Sequence, residues 1–232
     1  MPLKALLFLH MIISMMSKCF LLGSDDKQAD FLHWMLSQLE TNIPILVANF
    51  GMSRQNIDLL ENKFSDKIRV TPIDNAPYNL KEWYLKPFAI LAAHDLGYSE
   101  VCWLDNDLEI CSSIDNIFEH KEKGKLSLTL DVPYMNIYKL SANMWNSGVI
   151  VSYSATDILH KWASRSAKEI ERGDQEALAH VIEKTNSSHC IYNLPVEYNW
   201  LRLMGPSDQK IIIRHWTGPT GKTYIRENLL WK

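Results

Sequence analysis

Cysteine is scarce in this chain. Four occur in 232 residues, Cys19, Cys102, Cys111 and Cys190, with no CxxC pair and no Cys/His spacing of the zinc kind. That excludes a disulfide framework and a zinc ribbon or finger, and a chain of this length needs no covalent staples. Cys19 and Cys102 fall in strand-like apolar runs and read as buried reduced thiols, which points to a reducing setting. An excess of positive charge is also missing. The 24 Lys and Arg stand against 27 Asp and Glu, for a formal net charge of −3, so no basic surface is offered to nucleic acid. No repeat with a period of about 20 to 50 residues, no low-complexity tract and no linker-like stretch interrupts the chain.

A membrane-length hydrophobic run is lacking too. Ala5 to Met16 is apolar but shorter than the about 20 residues that a span takes. It has the look of a signal-peptide core. However, the residues directly after it, KCFLLGS, already read as a first core strand and leave no stem. Residues 1–17 are therefore read as an extra N-terminal segment, membrane association is not expected, and the cytoplasm is the expected compartment. The alternative, the secretory pathway or Golgi, follows if residues 1–17 act as a signal or anchor. Only there would the sequon Asn186-Ser187-Ser188 matter.

What is present is ordinary globular composition, 47% hydrophobic and 22% charged. From Lys18 the chain alternates. CFLLGS and PILVANFG read as strands, and Phe31, Trp34, Met35 and Leu39 mark one face of a helix between them. Ser53 caps a helix to about Phe64, and KIRVTPI is a third strand. Leu80 to Ala92 carry helical periodicity, with a kink or late start at Pro87 and Gly97 closing the helix. A fourth strand follows. This β-α-β-α-β-α-β order predicts a mainly parallel sheet flanked by helices, with ligands bound beyond the carboxyl ends of its strands. Asp25, Asn49, Asp74 and Asp105 all fall at such ends. KLSLTLD and ANMWNSGVIVSY read as strands joined by a polar loop. Helices are expected from about Thr156 to Arg172 and from Asp174 to Lys184. KIIIRHWTGPTGK reads as a strand running into a Gly/Pro loop.

The fourth strand runs straight into Asp105-Asn106-Asp107. These are poor strand formers and costly to bury unpaired. Two apart in an extended segment, Asp105 and Asp107 would project to one side. They would repel unless a cation or proton lay between them. Oxygen ligands at a strand end suit Mn²⁺ or Mg²⁺ better than zinc. A bare DxD is also what a pair of solvated turn carboxylates looks like, so the context matters.

In that context WLDND resembles the DxD motif of nucleotide-sugar glycosyltransferases with the GT-A fold. KPFAILAAHDLGYSEVCWLDNDLEICSSIDNIF looks like that group's helix, DxD strand and following segment, and WNSGVIVSY looks like its central acceptor-side strand. GDQEAL, LPVEYNW and HWTGPTGK resemble segments of glycosyltransferase family 8, whose relatives include glycogenin and bacterial galactosyltransferases. The order matches over about residues 18–224.

The resemblance implies one GT-A (Rossmann-like) domain over residues 18–232. Residues 18–120 would bind the nucleotide sugar, and residues 121–232 would carry the acceptor and catalytic half. The implied activity is transfer from a nucleotide-diphosphate sugar, a UDP-sugar, to an acceptor hydroxyl with retention of configuration. Asp105, Asp107 and His215 would hold Mn²⁺ or Mg²⁺. Asp105 and Asn106 would meet the donor, and Lys222 and Gly218 its diphosphate. Asn146, Ser147 and Gly148 would face the sugar, with Asp174 and Gln175 near the anomeric carbon. Asp174 reads equally as a helix N-cap, and Lys86 either serves the donor phosphates or is a solvated lysine. The final loop departs from the family pattern and displaces Lys222 by about one residue. A sugar-phosphate nucleotidyltransferase of the same fold would need a GxGxRxxP-like first loop, and LLGSDDKQAD lacks its second Gly, Arg and Pro. A non-catalytic sugar- or nucleotide-binding module would have lost the charges that this chain keeps.

Overall fold

The computed structural model describes residues 18–230 apart from positions 75 and 78. The expectation for residues 1–17, the apolar segment, lies outside the described residues. β1 (Lys18–Ser24), β2 (Ile45–Asn49), β3 (Ile68–Thr71) and β4 (Glu100–Leu104) alternate with helices α1 (Ala29–Gln38), α2 (Arg54–Phe64) and α3 (Lys86–Asp95). There follow β5 (Leu108–Ile110), β6 (Leu126–Leu130), α4 (Val132–Tyr138), β7 (Trp145–Tyr153), α5 (Asp157–Ser166) and α6 (Asp174–Lys184). The chain closes with β8 (Ile191–Asn193), β9 (Trp200–Leu201), β10 (Ile213–His215) and α7 (Gly218–Asn228). The main sheet has seven strands in the order β3-β2-β1-β4-β7-β6-β8, and a small sheet has the order β5-β10-β9. In the main sheet only β7 runs antiparallel to its neighbours.

The strands read as apolar runs because both faces of the sheet are covered. Along β1, Cys19 and Leu21 enter one core with Phe88 and Leu91 of α3, Leu159 and Trp162 of α5 and Leu178 of α6. Phe20 and Leu22 enter the other, with Leu32 and Met35 of α1, Leu60 of α2 and Phe118. Cys19 and Cys102 are fully buried among these side chains, which pushes both thiols' pKa up.

Several helix ends follow the local chemistry. Ser53 accepts a hydrogen bond from the Asn56 backbone N–H at the start of α2. α3 starts late, with Pro87 in its first turn after a short 3-10 turn at Glu82–Leu85. It ends on Gly97 at φ +99°, whose N–H bonds the His94 carbonyl while Tyr98 N–H bonds that of Ala93. α6 spans the expected residues, but Gly173 holds the N-cap position and Asp174 lies inside the first turn.

Four expectations are corrected. The polar loop between β6 and β7 contains α4, started by the Asp131 carboxylate accepting from Tyr134 N–H with Pro133 beside it. α5 stops at Ser166, well before Arg172. Residues 169–171 are instead held outside a helix: Glu169 accepts from Lys81 N–H, and Glu171 pairs with Arg165. Residues 218–222, read as a Gly/Pro loop, form the first turns of α7. Pro219 suits a helix start, and Gly221 lets that turn press on Trp216, whose carbonyl would overlap any Cβ there. Finally, the DND segment turns at Asn106 and Asp107 rather than extending.

Candidate active site

Parallel strands bring their carboxyl ends to one edge. There Gly23, Asp25, Phe50, Trp103, Asp105 and Asp107 line part of a cavity of about 370 Å³. Gly23 allows the floor to exist, because a Cβ would run into the rings of Phe50 and Trp103. Those rings stack at 6.0 Å. At the mouth, burial and the neighbouring Glu82 carboxylate raise the pKa of Asp25.

Asp105 follows β4, and its backbone N–H bonds the Gly148 carbonyl of β7 at 2.8 Å. Its Oδ1 accepts from Trp103 Nε1–H at 2.7 Å and meets Lys86 Nζ at 3.0 Å. Lys86 is buried, not solvated. Its ammonium also meets Asp174 Oδ2 at 2.9 Å and donates to the Ser147 carbonyl at 2.9 Å. Its three N–H donors are thus occupied within the protein. Burial opposes the charge, but Asp105 and then Asp174 outweigh it and hold the Lys86 pKa above its ordinary range.

Asp107 is buried beside β5. The small sheet pairs β10 antiparallel with β5, setting His215 opposite Leu108. The His215 Nε2 therefore lies 3.3 Å from Asp107 Oδ1, and Lys222 of α7 reaches Asp107 Oδ2 at 3.0 Å. Burial alone would raise the Asp107 pKa. His215 and then Lys222 outweigh it and hold the carboxyl well below the usual range. Asp105, Asp107 and His215 each offer a ligand atom within 4.8 Å of the others.

This donor set fits a divalent cation. Two ligands of an octahedral ion at about 2.1 Å each stand roughly 3 Å apart, close to the separation of His215 Nε2 from Asp107. The charges agree as well, because the carboxylates of Asp105, Asp107 and Asp174 face two ammonium groups, Lys86 and Lys222.

Nine of the twelve residues selected from sequence divide between two pockets, whereas Ser147, Gly148 and His215 line neither. Lys86, Asp105, Asn106, Asp107, Asp174 and Lys222 line the first. Asn146, Gln175 and Gly218 line a second pocket of about 330 Å³ with Asp131, Tyr134 and Glu176. Gln175 and Asn146 both donate to Asp131 Oδ2, at 3.1 and 3.0 Å. Gly148 lies under the His215 ring, where a Cβ would collide with it. Sequence reasoning missed Trp103, Asp131 and Asn199. Asp131 carried a usable signal, an N-cap residue before Val-Pro. Trp103 and Asn199 lie within WLDND and LPVEYNW, whose family resemblance was their one signal, and the partners that give them a place in the site are set by packing.

No protein-family model matches the sequence, and no curated protein matches it. Solved structures match the fold. The apo structure of the bifunctional glycosyltransferase WbbM superposes with a TM-score of 0.60 at 12% identity, over 88% of this chain and 46% of that one. Apo GlyE, a glycosyltransferase of Streptococcus pneumoniae TIGR4, gives 0.60 at 13% identity, over 87% and 55%. Apo mouse xyloside xylosyltransferase 1 gives 0.55 at 10%, over 85% and 96%. The chain spans about half the length of the first two. Its architecture is the GT-A fold of glycosyltransferases, a single α/β domain on a mainly parallel sheet.

Proposed function

We propose that this chain is a cation-dependent glycosyltransferase that moves a sugar from a nucleoside-diphosphate donor, a UDP-sugar, to a glycan hydroxyl with retention of configuration. The observation that carries this reading is the Asp105–Asp107–His215 cluster at the carboxyl edge of a GT-A sheet. Asp105, Asp107 and His215 hold Mn²⁺, or Mg²⁺ less well. A divalent ion there supplies positive charge to the diphosphate as it leaves. Asn106 and Asp105 line the cavity proposed for the donor. Lys222, resting on Asp107, is placed to exchange that carboxylate for the diphosphate. The Asp174 Oδ2 is engaged by the Lys86 ammonium rather than turned to an acceptor hydroxyl, which supports retention. Gln175 and Asn146 face the second pocket, whose Asp131, Tyr134 and Glu176 suit the hydroxyls of an acceptor glycan.

Calorimetric titration with UDP, in Mn²⁺ and in EDTA, tests the core of this reading. Binding is expected in Mn²⁺, and it should be lost both in EDTA and in Asp107→Ala. Equal affinity with and without the cation rejects the metal role of the DND segment.

A further inference from the structure

The hydrogen bonds behind His215 have one consistent direction. The backbone N–H of Gly148 lies 3.0 Å from an oxygen-type position on the Asn146 amide. A backbone N–H can only donate, so that atom is the Asn146 carbonyl oxygen. The Asn146 NH₂ then faces the Asp131 carboxylate at 3.0 Å, which accepts. The same Asn146 oxygen is 2.9 Å from the Asn199 amide, so Asn199 must turn its NH₂ toward it. The Asn199 oxygen is thereby aimed at His215 Nδ1, 2.9 Å away. An amide oxygen only accepts, so Nδ1 carries the proton of the neutral ring. In the neutral ring Nε2 is then the nitrogen without a proton, and it faces Asp107, to which it donates when the ring is an imidazolium. Side-chain amide orientations and tautomers are ordinarily assigned from networks. Here a backbone donor at one end and a carboxylate at the other assign all three side chains.

Asn199 is 0% exposed. It lines neither the first pocket nor the second. Its short strand neighbour β9 pairs with β10, which fixes its place beside His215.

We propose that Asn199 is a positioning residue that locks His215 in the Nδ1–H tautomer and so presents Nε2 to the divalent cation. The run His215–Asn199–Asn146–Asp131 is a directed series of hydrogen bonds ending on a carboxylate. Such series polarise one another, and a partner on the far ring nitrogen strengthens the metal-facing nitrogen as a ligand. The role in cation binding rests on the reading of the cluster as a cation site, whereas the tautomer lock does not.

The test uses the whole chain and two readouts. Nitrogen-15 NMR of the metal-free protein reports the His215 tautomer, and EPR titration reports Mn²⁺ binding without donor. The wild type is expected to show Nδ1–H. Asn199→Leu keeps the branch and removes the amide; it should lose that tautomer preference and weaken Mn²⁺ binding about 10- to 100-fold. Asn199→Asp keeps an acceptor oxygen and should retain the tautomer. A bare Nδ1 in the wild type overturns the proposal without any variant, even if Asn199→Leu fails to fold. Unchanged tautomer and Mn²⁺ affinity in a folded Asn199→Leu overturns it as well. If the tautomer shifts as expected but wild type and variant alike bind no Mn²⁺, the lock stands and the cation reading falls.

Discussion

Lys86 Nζ lies between the carboxylates of Asp105 and Asp174, at 3.0 and 2.9 Å, with the whole side chain buried. A single residue thus keeps two acids, one just beyond β4 and one in the first turn of α6, from repelling each other across the two halves of the chain. The pKa of Lys86 is raised in the fold, so its stabilising contribution is complete below the ordinary lysine value and is lost only as pH rises through the raised one. At neutral pH it is constant. Lys86→Met should therefore cost about 3–5 kcal/mol, as breaking a buried pair by removing one partner does. The two abandoned carboxylates would then have raised pKa values, so the variant should regain stability as pH falls into the carboxylate range. Urea unfolding of wild type and variant across pH 4 to 8 (an interval set by about the ordinary carboxylate and neutral ranges) checks this. A deficit independent of pH would mean that Lys86 acts through packing alone.

At the scale of elements, α7 and the small sheet carry the charged groups that complete the cluster. β10 delivers His215, and the turn Trp216–Thr217 passes directly into α7, which delivers Lys222. Trp216 N–H bonds the Asp107 carbonyl at 3.0 Å, so the same turn holds the DND backbone. Gly221 sets how closely α7 can approach that turn. Gly221→Ala adds a methyl where the Trp216 carbonyl already lies, and overpacking of this kind costs about 1–3 kcal/mol. It should lift Lys222 from Asp107 and raise the apparent Kd for UDP in Mn²⁺, whereas Pro219→Ala should leave that Kd within about twofold. Normal UDP affinity in Gly221→Ala would separate the seat of α7 from donor binding. α4 belongs to the same scale. Ile137 and Tyr138 stay exposed on it, and Tyr134 donates to Glu176 of α6 at 2.7 Å.

At the scale of the molecule, β7 from the second half is inserted between β4 and β6, and its neighbours β4 and β6 come from opposite halves. Val101 and Trp103 of β4 share a core with Ile150 of β7 and Trp162 of α5. The first half, residues 18–120, therefore has no closed core of its own, and α3 packs on α5 across the boundary. Unfolding should be one cooperative step, with far-UV circular dichroism and tryptophan fluorescence giving coincident transitions. Two separated transitions would show that residues 18–120 form an independent unit.

The mainly parallel sheet, the edge where its strands' carboxyl ends gather and the DND acids at that edge were legible in the sequence, because each is encoded locally. Apolar runs of strand length, helix starts at Ser53 and Pro87, and Gly97 at a helix end all act within a few residues. The helix at 218–228 was misread because Gly and Pro signal a loop by composition. Their effect here depends on Trp216, against which Gly221 packs. The position of Lys86 also lay beyond sequence reasoning. Whether a lysine is solvated or holds two acids together depends on Asp105 and Asp174 arriving from β4 and α6. The same is true of the amide chain behind His215, which joins residues 131, 146, 199 and 215 by hydrogen bonds. Hydrogen-bond direction is a property of where donors and acceptors meet in space, so only the folded chain decides which nitrogen of His215 is left free.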